Sequence, residues 1–351
     1  MAKRMTDQSL MDPGVQRCPY EFEAKLRKEC PVYEMPETGF YVLSRFEDIR
    51  KVFSQPGLFA NNIDLRAFKP GGPTPEVAEI YEERGWPPVD MLIAADPPDH
   101  TRHRALVKQA FSPRQVARME VLVNEVIAGV IDSFIGKGKV EFVEEVAARV
   151  PLSVIADLLG LPREDIPMFR RVTQARVDAM GLMVSREREI ECAECSVEFQ
   201  HYLVTQLEER HKMPRSDLMS DLVHAEVGDV EPLNMQELLW IVEQLTVAGN
   251  QTTKDAMASG MWMLVQKPAL MDELRGHPDR MRSFVEETVR LESPVQSLSR
   301  ITTADTELGG VAIPSGSIVL MRLGSGGRDE NQFDDAASID LTRRTDRKSV
   351  V

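Results

Sequence analysis

The amino-acid sequence predicts a mainly α chain with a smaller β region, an α+β fold in one domain spanning 1–351. Three observations carry that expectation. Between Tyr20 and Leu291 most segments repeat apolar residues at helical spacing. One run, Asn234 to Pro268, is helix-compatible throughout and longer than most globular helices. From Pro294 the pattern changes to short apolar runs separated by Gly and Pro turns.

The elements follow in order. Tyr20 to Cys30 reads as a short amphipathic helix. Val32 to Met35 and Phe40 to Leu43 read as a hairpin around Pro36-Glu37-Thr38-Gly39, and Arg45 to Ser54 as a helix. Asn61 to Met91 is Pro- and Gly-rich with little periodicity, the signature of a lid or binding loop, although Phe68, Ile80, Tyr81 and Trp86 argue that parts of it pack. A helix opens at His100 and ends near Phe111. Ser112 to Ile135, Pro151 to Leu159, Arg163 to Met183, Ser185 to His211 and Ser216 to His224 continue as helices, with Val140 to Val143 as a short strand. Arg282 to Leu291 is the last long helix. Arg300 to Thr302, Thr306 to Leu308, Val311 to Ile313 and Ile318 to Arg322 read as strands, with Gly309-Gly310 as a turn. No internal repeat divides the chain.

Within Asn234 to Pro268, Asn234 and Glu237 form a cap pair and Pro268 supplies the stop. The middle, Ala248-Gly249-Asn250-Gln251-Thr252-Thr253, is the weak point. Glycine in a helix costs about 1 kcal/mol relative to alanine, and a threonine hydroxyl can bond back to the preceding turn. Gly249 lets something flat and bulky approach the backbone, and Thr252 offers a hydroxyl beside it. His100 and Arg104, four apart, share a helix face suited to an anionic group such as a carboxylate, or to solvent. Glu287 and Arg290, three apart, suit an ion pair. Cys192 and Cys195 form a CxxC pair that reads as two small helix residues rather than a zinc site.

Charge and composition exclude some classes. A net charge of −14 argues against nucleic acid. The N-terminus has no apolar run, so neither a signal peptide nor a membrane anchor is expected. Four cysteines make no disulfide framework, and a cytoplasmic protein is expected.

These motifs, in this order, resemble the cytochrome P-450 superfamily of heme-thiolate monooxygenases in its soluble bacterial form, from about Val32 to Arg343. The segment Asp96 to Arg104 is similar to the family's Asp-Pro-Pro-x-His-Thr-x-x-Arg. Ala248-Gly249-x-x-Thr252-Thr253 resembles its oxygen groove, Glu287-x-x-Arg290 its Glu-x-x-Arg, and Arg328-Asp329 with Phe333 the following meander. The resemblance implies a long central helix crossing above heme b (iron protoporphyrin IX). It implies that His100, Arg104 and Arg300 bind the propionates, that Ala248 and Gly249 admit the cofactor and dioxygen, and that Thr252 and Gln251 serve proton delivery. It implies a monomeric monooxygenase that inserts one oxygen atom of O2 into a hydrophobic small molecule. Electrons would come from NAD(P)H through ferredoxin reductase and ferredoxin. Asn61–Met91, Met168–Met183 and Val295–Leu298 are implied to line the pocket.

Departures set further expectations. The family carries Asp or Glu before the groove threonine; here the residue is Gln251, whose amide cannot exchange protons as a carboxylate does. Gly327 stands where Asn is usual, and Ser338 where an Arg or His often completes a triad with Glu287 and Arg290. The last cysteine is Cys195, so the heme-ligating Cys is expected to be absent, the fold incomplete at its C-terminus and the chain inactive as written. Residues 346–351 are expected to be a non-native tail, since Asp-Arg-Lys-Ser-Val-Val matches one frame of a DNA-sequencing adapter. Two other readings stand beside the main one: a non-hydroxylating heme-thiolate enzyme, motivated by Gln251, and a helical binding or scaffold protein without heme, motivated by the absent ligand.

Overall fold

The computed structural model describes residues 9–63, 72–111, 113–181 and 184–343. Phe68, Ser112, Met183 and the 346–351 tail lie outside the described residues. The helices are α1 (Pro13–Arg17), α2 (Tyr20–Glu29), α3 (Phe46–Phe53), α4 (Pro75–Arg84), α5 (Asp99–Ala110), α6 (Pro113–Asp132), α7 (Arg149–Leu159), α8 (Ile166–Ala179), α9 (Arg186–Lys212), α10 (Leu218–Val223), α11 (Met235–Gln266), α12 (Pro268–Gly276), α13 (Met281–Glu292) and α14 (Leu323–Gly326). The strands are β1 (Val32–Glu34), β2 (Tyr41–Leu43), β3 (Phe59–Ala60), β4 (Ser297–Thr302), β5 (Thr306–Leu308), β6 (Val311–Ile313) and β7 (Ile318–Arg322). The mainly α fold with a smaller β region is as expected. Contacts gather into two compact units, Asp64–Asp255 and Met1–Ile63 with Ala256–Val351.

The Asp64–Asp255 unit is helical. Its core joins Leu152, Ile155, Phe169, Phe199, Leu203, Leu239 and Trp240 from α7, α8, α9 and α11. Phe169 and Phe199 meet edge to face at 5.9 Å, an arrangement that adds to their area burial. Helix starts are set by side-chain caps: Ser185 accepts from the Arg188 N–H at 3.2 Å and Asp217 from the Ser220 N–H at 2.8 Å. The fully buried Glu243 of α11 accepts from Ser196 at 2.9 Å and pairs with Arg176 at 3.1 Å, while Arg176 lies over the Trp240 ring. Burial pushes the Glu243 carboxyl up, against the lowering pull of Arg176 and Ser196.

Two expectations are corrected here. Pro75–Arg84, expected to be irregular, is helix α4; it buries Tyr81 and packs Val77 and Ile80 on the core. Val140–Val143, expected to be a strand, leads instead into a wide helical turn over Val143–Ala147. The Glu141 carboxylate accepts from the N–H groups of Val143 and Glu144, which caps that turn.

The other unit carries a five-stranded sheet in the order β1-β2-β7-β4-β3. β1 and β2 are antiparallel, with Tyr33 opposite Val42; β2 and β7 are parallel, with Val42 opposite Leu320. β4 runs antiparallel to β7, placing Arg300 opposite Val319, and β3 is a two-residue edge strand that the sequence reading missed. β5 and β6 form a separate hairpin. Its turn needs positive φ at both Gly309 (53°) and Gly310 (79°), which glycine adopts without steric cost.

Glu287 and Arg290 on α13 form a buried bidentate pair, with both bonds at 2.7 Å. Arg290 also donates to the carbonyls of Gly327, Ala336 and Ser338, at 2.7, 2.6 and 2.8 Å. Ser338 contributes only this carbonyl. The second cation on Glu287 is Arg343, at 3.1 Å, so the triad closes through a residue outside the motif. At Gly327 an added Cβ would collide with the Arg290 carbonyl, which explains glycine there. Burial works to raise the Glu287 carboxyl, but the Arg290 hydrogen bond, the Asp340 N–H and the charges of Arg290 and Arg343 outweigh it and hold the group below its ordinary 4.5.

The stability contributed by Glu287 is therefore fully present above about pH 4.5 and is lost as pH falls through the lowered value. Glu287→Gln should cost about 3–5 kcal/mol near neutrality, as breaking one partner of a buried pair does. It should also remove part of the acid-side fall in Tm. Thermal unfolding between pH 3 and 7 checks both.

Candidate functional site

The capping pair at the start of α11 is reciprocal. Asn234 Oδ1 accepts from the Glu237 N–H at 3.0 Å, and Glu237 Oε2 accepts from the Asn234 N–H at 2.9 Å. Glu237 does more than cap. It takes both arms of the Arg102 guanidinium, at 2.6 and 2.9 Å, and stands 3.6 Å from His103 Nε2. Burial would raise the Glu237 carboxyl, but the Arg102 and Asn234 hydrogen bonds with the Arg102 and His103 charges bring it below its ordinary value. Burial lowers the His103 imidazole, against the raising pull of Glu237.

Arg102 and His103 thus anchor α5 to α11. His100 and Arg104, four apart, share a face of α5. His100 is half-buried and Arg104 exposed. Among the described residues neither side chain has a hydrogen-bond or ion-pair partner. The helix therefore carries Arg102 and His103 committed to Glu237, and His100 and Arg104 without such a partner among the described residues.

Halfway along α11 the Thr252 hydroxyl donates to the Ala248 carbonyl at 3.0 Å, the expected back-bond. Ala248 and Gly249 are exposed, although the flanking Thr246 and Asn250 are buried. A Cβ added at Gly249 would meet only Ile155, at 3.6 Å, an ordinary contact. Among the described residues, packing therefore does not require glycine there. Gly260 is alike in this respect, since its Cβ would meet Phe284 and Thr288 at 3.5 and 3.6 Å, ordinary contacts. Gln251 donates its amide to both oxygens of Asp255, at 3.3 and 3.1 Å. Asn250 buries its Oδ1 without a described partner.

The remaining site candidates lie in the sheet-bearing unit. Arg300 on β4 donates to the Ser299 carbonyl at 2.7 Å and lies over the Phe53 ring. Glu287 and Arg290 form the structural clamp described above. The sequence reading missed Asp255, Arg343 and the Arg102–Glu237 pair; the four-residue spacing of Gln251 and Asp255 was the available signal for the first.

The comparisons with known proteins decide the family. The profile described as Cytochrome P450 matches residues 140–349. The chain belongs to the cytochrome P450 family. It is 31% identical over 344 residues to the steroid C26-monooxygenase of Rhodococcus jostii, covering 95% of this chain and 70% of that protein. It is 30% identical over 342 residues to the vitamin D(3) 25-hydroxylase of Pseudonocardia autotrophica, covering 93% and 77%. The solved structure of cytochrome P450 CYP109Q5 from Chondromyces apiculatus superposes with a TM-score of 0.82 at 31% identity, covering 97% of this chain and 82% of that one. This P450 is a monooxygenase, an oxidoreductase of bacterial type, and heme is its family's prosthetic group. Among the described residues no helix is long and apolar enough to cross a membrane.

The residues can be tested against heme. His100 and Arg104 are uncommitted donors of the kind that hold a carboxylate edge, and the open Ala248–Gly249 surface suits a flat apolar face. Two of the four thiols, Cys192 and Cys195, are held away from the thiolate form by burial. Cys18 is exposed at the end of α1, and Cys30 is buried with its thiol against the Val32 carbonyl. The fit is to the acidic edge and one face of the group.

The two pairs of cations should separate by experiment. Arg102→Ala should destabilise the protein by about 1–3 kcal/mol, because Glu237 loses its charged partner. Arg104→Ala should change stability by less than about 0.5 kcal/mol. Urea unfolding measures both; an equal loss in Arg104→Ala would contradict the assignment.

Proposed function

We propose that this P450 inserts one oxygen atom of O2 into a hydrophobic small molecule of steroid-like size, using electrons passed from NAD(P)H through ferredoxin reductase and ferredoxin. The observation that carries the proposal is the open Ala248–Gly249 surface beside Thr252. The substrate class rests on the relatives named for a steroid and for vitamin D. Asn61–Met91, Met168–Met183 and Val295–Leu298 are the segments proposed to select the substrate. Arg300 is proposed as a further propionate partner.

Heme, when bound, supplies the oxygen activation and the oxidising power. The chain supplies position and protons. His100 and Arg104 would hold the acidic edge with hydrogen bonds to its carboxylates. Ala248 and Gly249 keep bulk away from the reacting side. The Thr252 hydroxyl already commits its proton to the Ala248 carbonyl, so its lone pairs face outward and accept. Thr252 thereby orients a proton donor at the open surface, and proton transfer by a positioned group is worth about 10²–10⁴-fold.

A non-hydroxylating reaction is the second reading, and Gln251 is what favours it. The two readings separate in the stoichiometry of NAD(P)H, O2 and product in heme-loaded protein completed with the family's Cys-ligand segment. Thr252→Ala should keep NAD(P)H consumption while product falls by about 10²-fold and hydrogen peroxide rises in its place. Gln251→Glu should raise coupled turnover. Unchanged coupling in Thr252→Ala would remove Thr252 from the reaction and favour the second reading.

A further inference from the structure

Gln251 leaves the open surface of α11 without a titratable group at the position next to Thr252, and the structure shows where a carboxylate stands instead. Asp255 accepts the Gln251 amide through both oxygens, at 3.3 and 3.1 Å. On a helix, residues three and four apart are neighbours. Asp255 is four from Gln251 and three from Thr252, and Ala248 is three from Gln251 and four from Thr252. Those four residues share one face. The Asp255 side chain is 40% exposed, so it is open to bulk solvent. Among the described residues its ion-pair contact is Lys254, on the same helix at 3.8 Å.

We infer that Asp255 is the proton-supplying carboxylate of this groove, displaced one turn along α11 and held in register by Gln251. The inference deepens the proposed monooxygenase reading and rests on it.

The roles follow from donor and acceptor capacity. A Gln amide has an N–H2 that only donates and an oxygen that only accepts. With Nε2 turned to Asp255, the Gln251 oxygen points the other way and can accept from water. The amide itself neither gains nor loses a proton. Asp255 can: its carboxylic acid gives one proton to water beside Gln251 and Thr252, becomes carboxylate, and regains a proton from solvent on its exposed side. The Nε2 donor is satisfied by either form of the acid, so the geometry survives both halves of the cycle. A plain helix-stabilising Gln–Asp pair would share this geometry but would carry no titration into the reaction.

The experiment has two arms. In nitrogen-15 spectra recorded as pH is lowered, the Gln251 side-chain amide should move through a single carboxyl titration in the parent and stay still in Asp255→Asn. This arm needs no heme. In heme-loaded protein completed with the family's Cys-ligand segment, Asp255→Asn should lower coupled product about 10²-fold and flatten its pH profile, and Asp255→Glu should restore most of it. Thr252→Ala is run alongside. If Thr252→Ala uncouples the reaction while Asp255→Asn keeps parental coupling and pH profile, Asp255 is not the proton source and the monooxygenase reading stands. If Thr252→Ala leaves coupling unchanged as well, the oxygen-groove reading falls and this inference falls with it. A Gln251 amide that does not follow the titration also overturns the inference, since the two side chains would not be joined in solution.

Discussion

A 32-residue helix whose weakest stretch sits in its middle is the constraint on which the candidate site depends. The ends of α11 are strong. A reciprocal cap fixes its start, and Leu239, Trp240, Ile241 and Val242 bury its first turns in a helical core. Near its end, Gly260 and Met263 pack against Phe284 and Thr288 of α13. Because both ends are held, the helix can tolerate Ala248-Gly249 exposed and Thr252 bonded back to its own turn. A glycine that no internal contact requires, next to a hydroxyl whose proton is already committed, describes a surface kept clear for something else to occupy.

Charge is partitioned in the same way. Most charged side chains in the described interior are committed. Glu287 is held by Arg290 and Arg343, Glu243 by Arg176 and Ser196, Glu237 by Arg102, and Arg210 by Asp217. Each of these pairs loses much of its hydration on folding, so losing one partner costs more than the pair itself contributes. His100 and Arg104 stand outside this pattern. Among the described residues they have no such partner, while Arg102 and His103 of the same helix are turned to Glu237, and that difference marks them as ligand-facing more strongly than their charge does.

The sequence made the long elements legible and the short or borrowed ones obscure. Asn234, Glu237 and Pro268 marked α11 because capping chemistry is local, although Pro268 turned out to open α12 as well as close the preceding helix. α4 was hidden because Pro- and Gly-rich flanks dilute a helix whose buried side is mainly Val77, Ile80 and Tyr81. Val140–Val143 read as a strand from its β-branched residues, but the Glu141 cap redirected the chain into a helical turn. The clamp at Glu287 was legible as a pair, whereas Arg343 was not, because a tertiary partner leaves no fixed spacing. Within the site, the motif gave Thr252 and Gln251, and only the side-chain geometry joined Gln251 to Asp255.

The most direct measurement is a heme titration of the protein, followed by quenching of tryptophan fluorescence, on the parent and on a His100→Ala, Arg104→Ala double variant. The account predicts saturation at about one heme per chain and a Kd raised by at least about 10²-fold in the double variant, from the loss of two charge-assisted hydrogen bonds. A double variant that binds heme as tightly as the parent would contradict it.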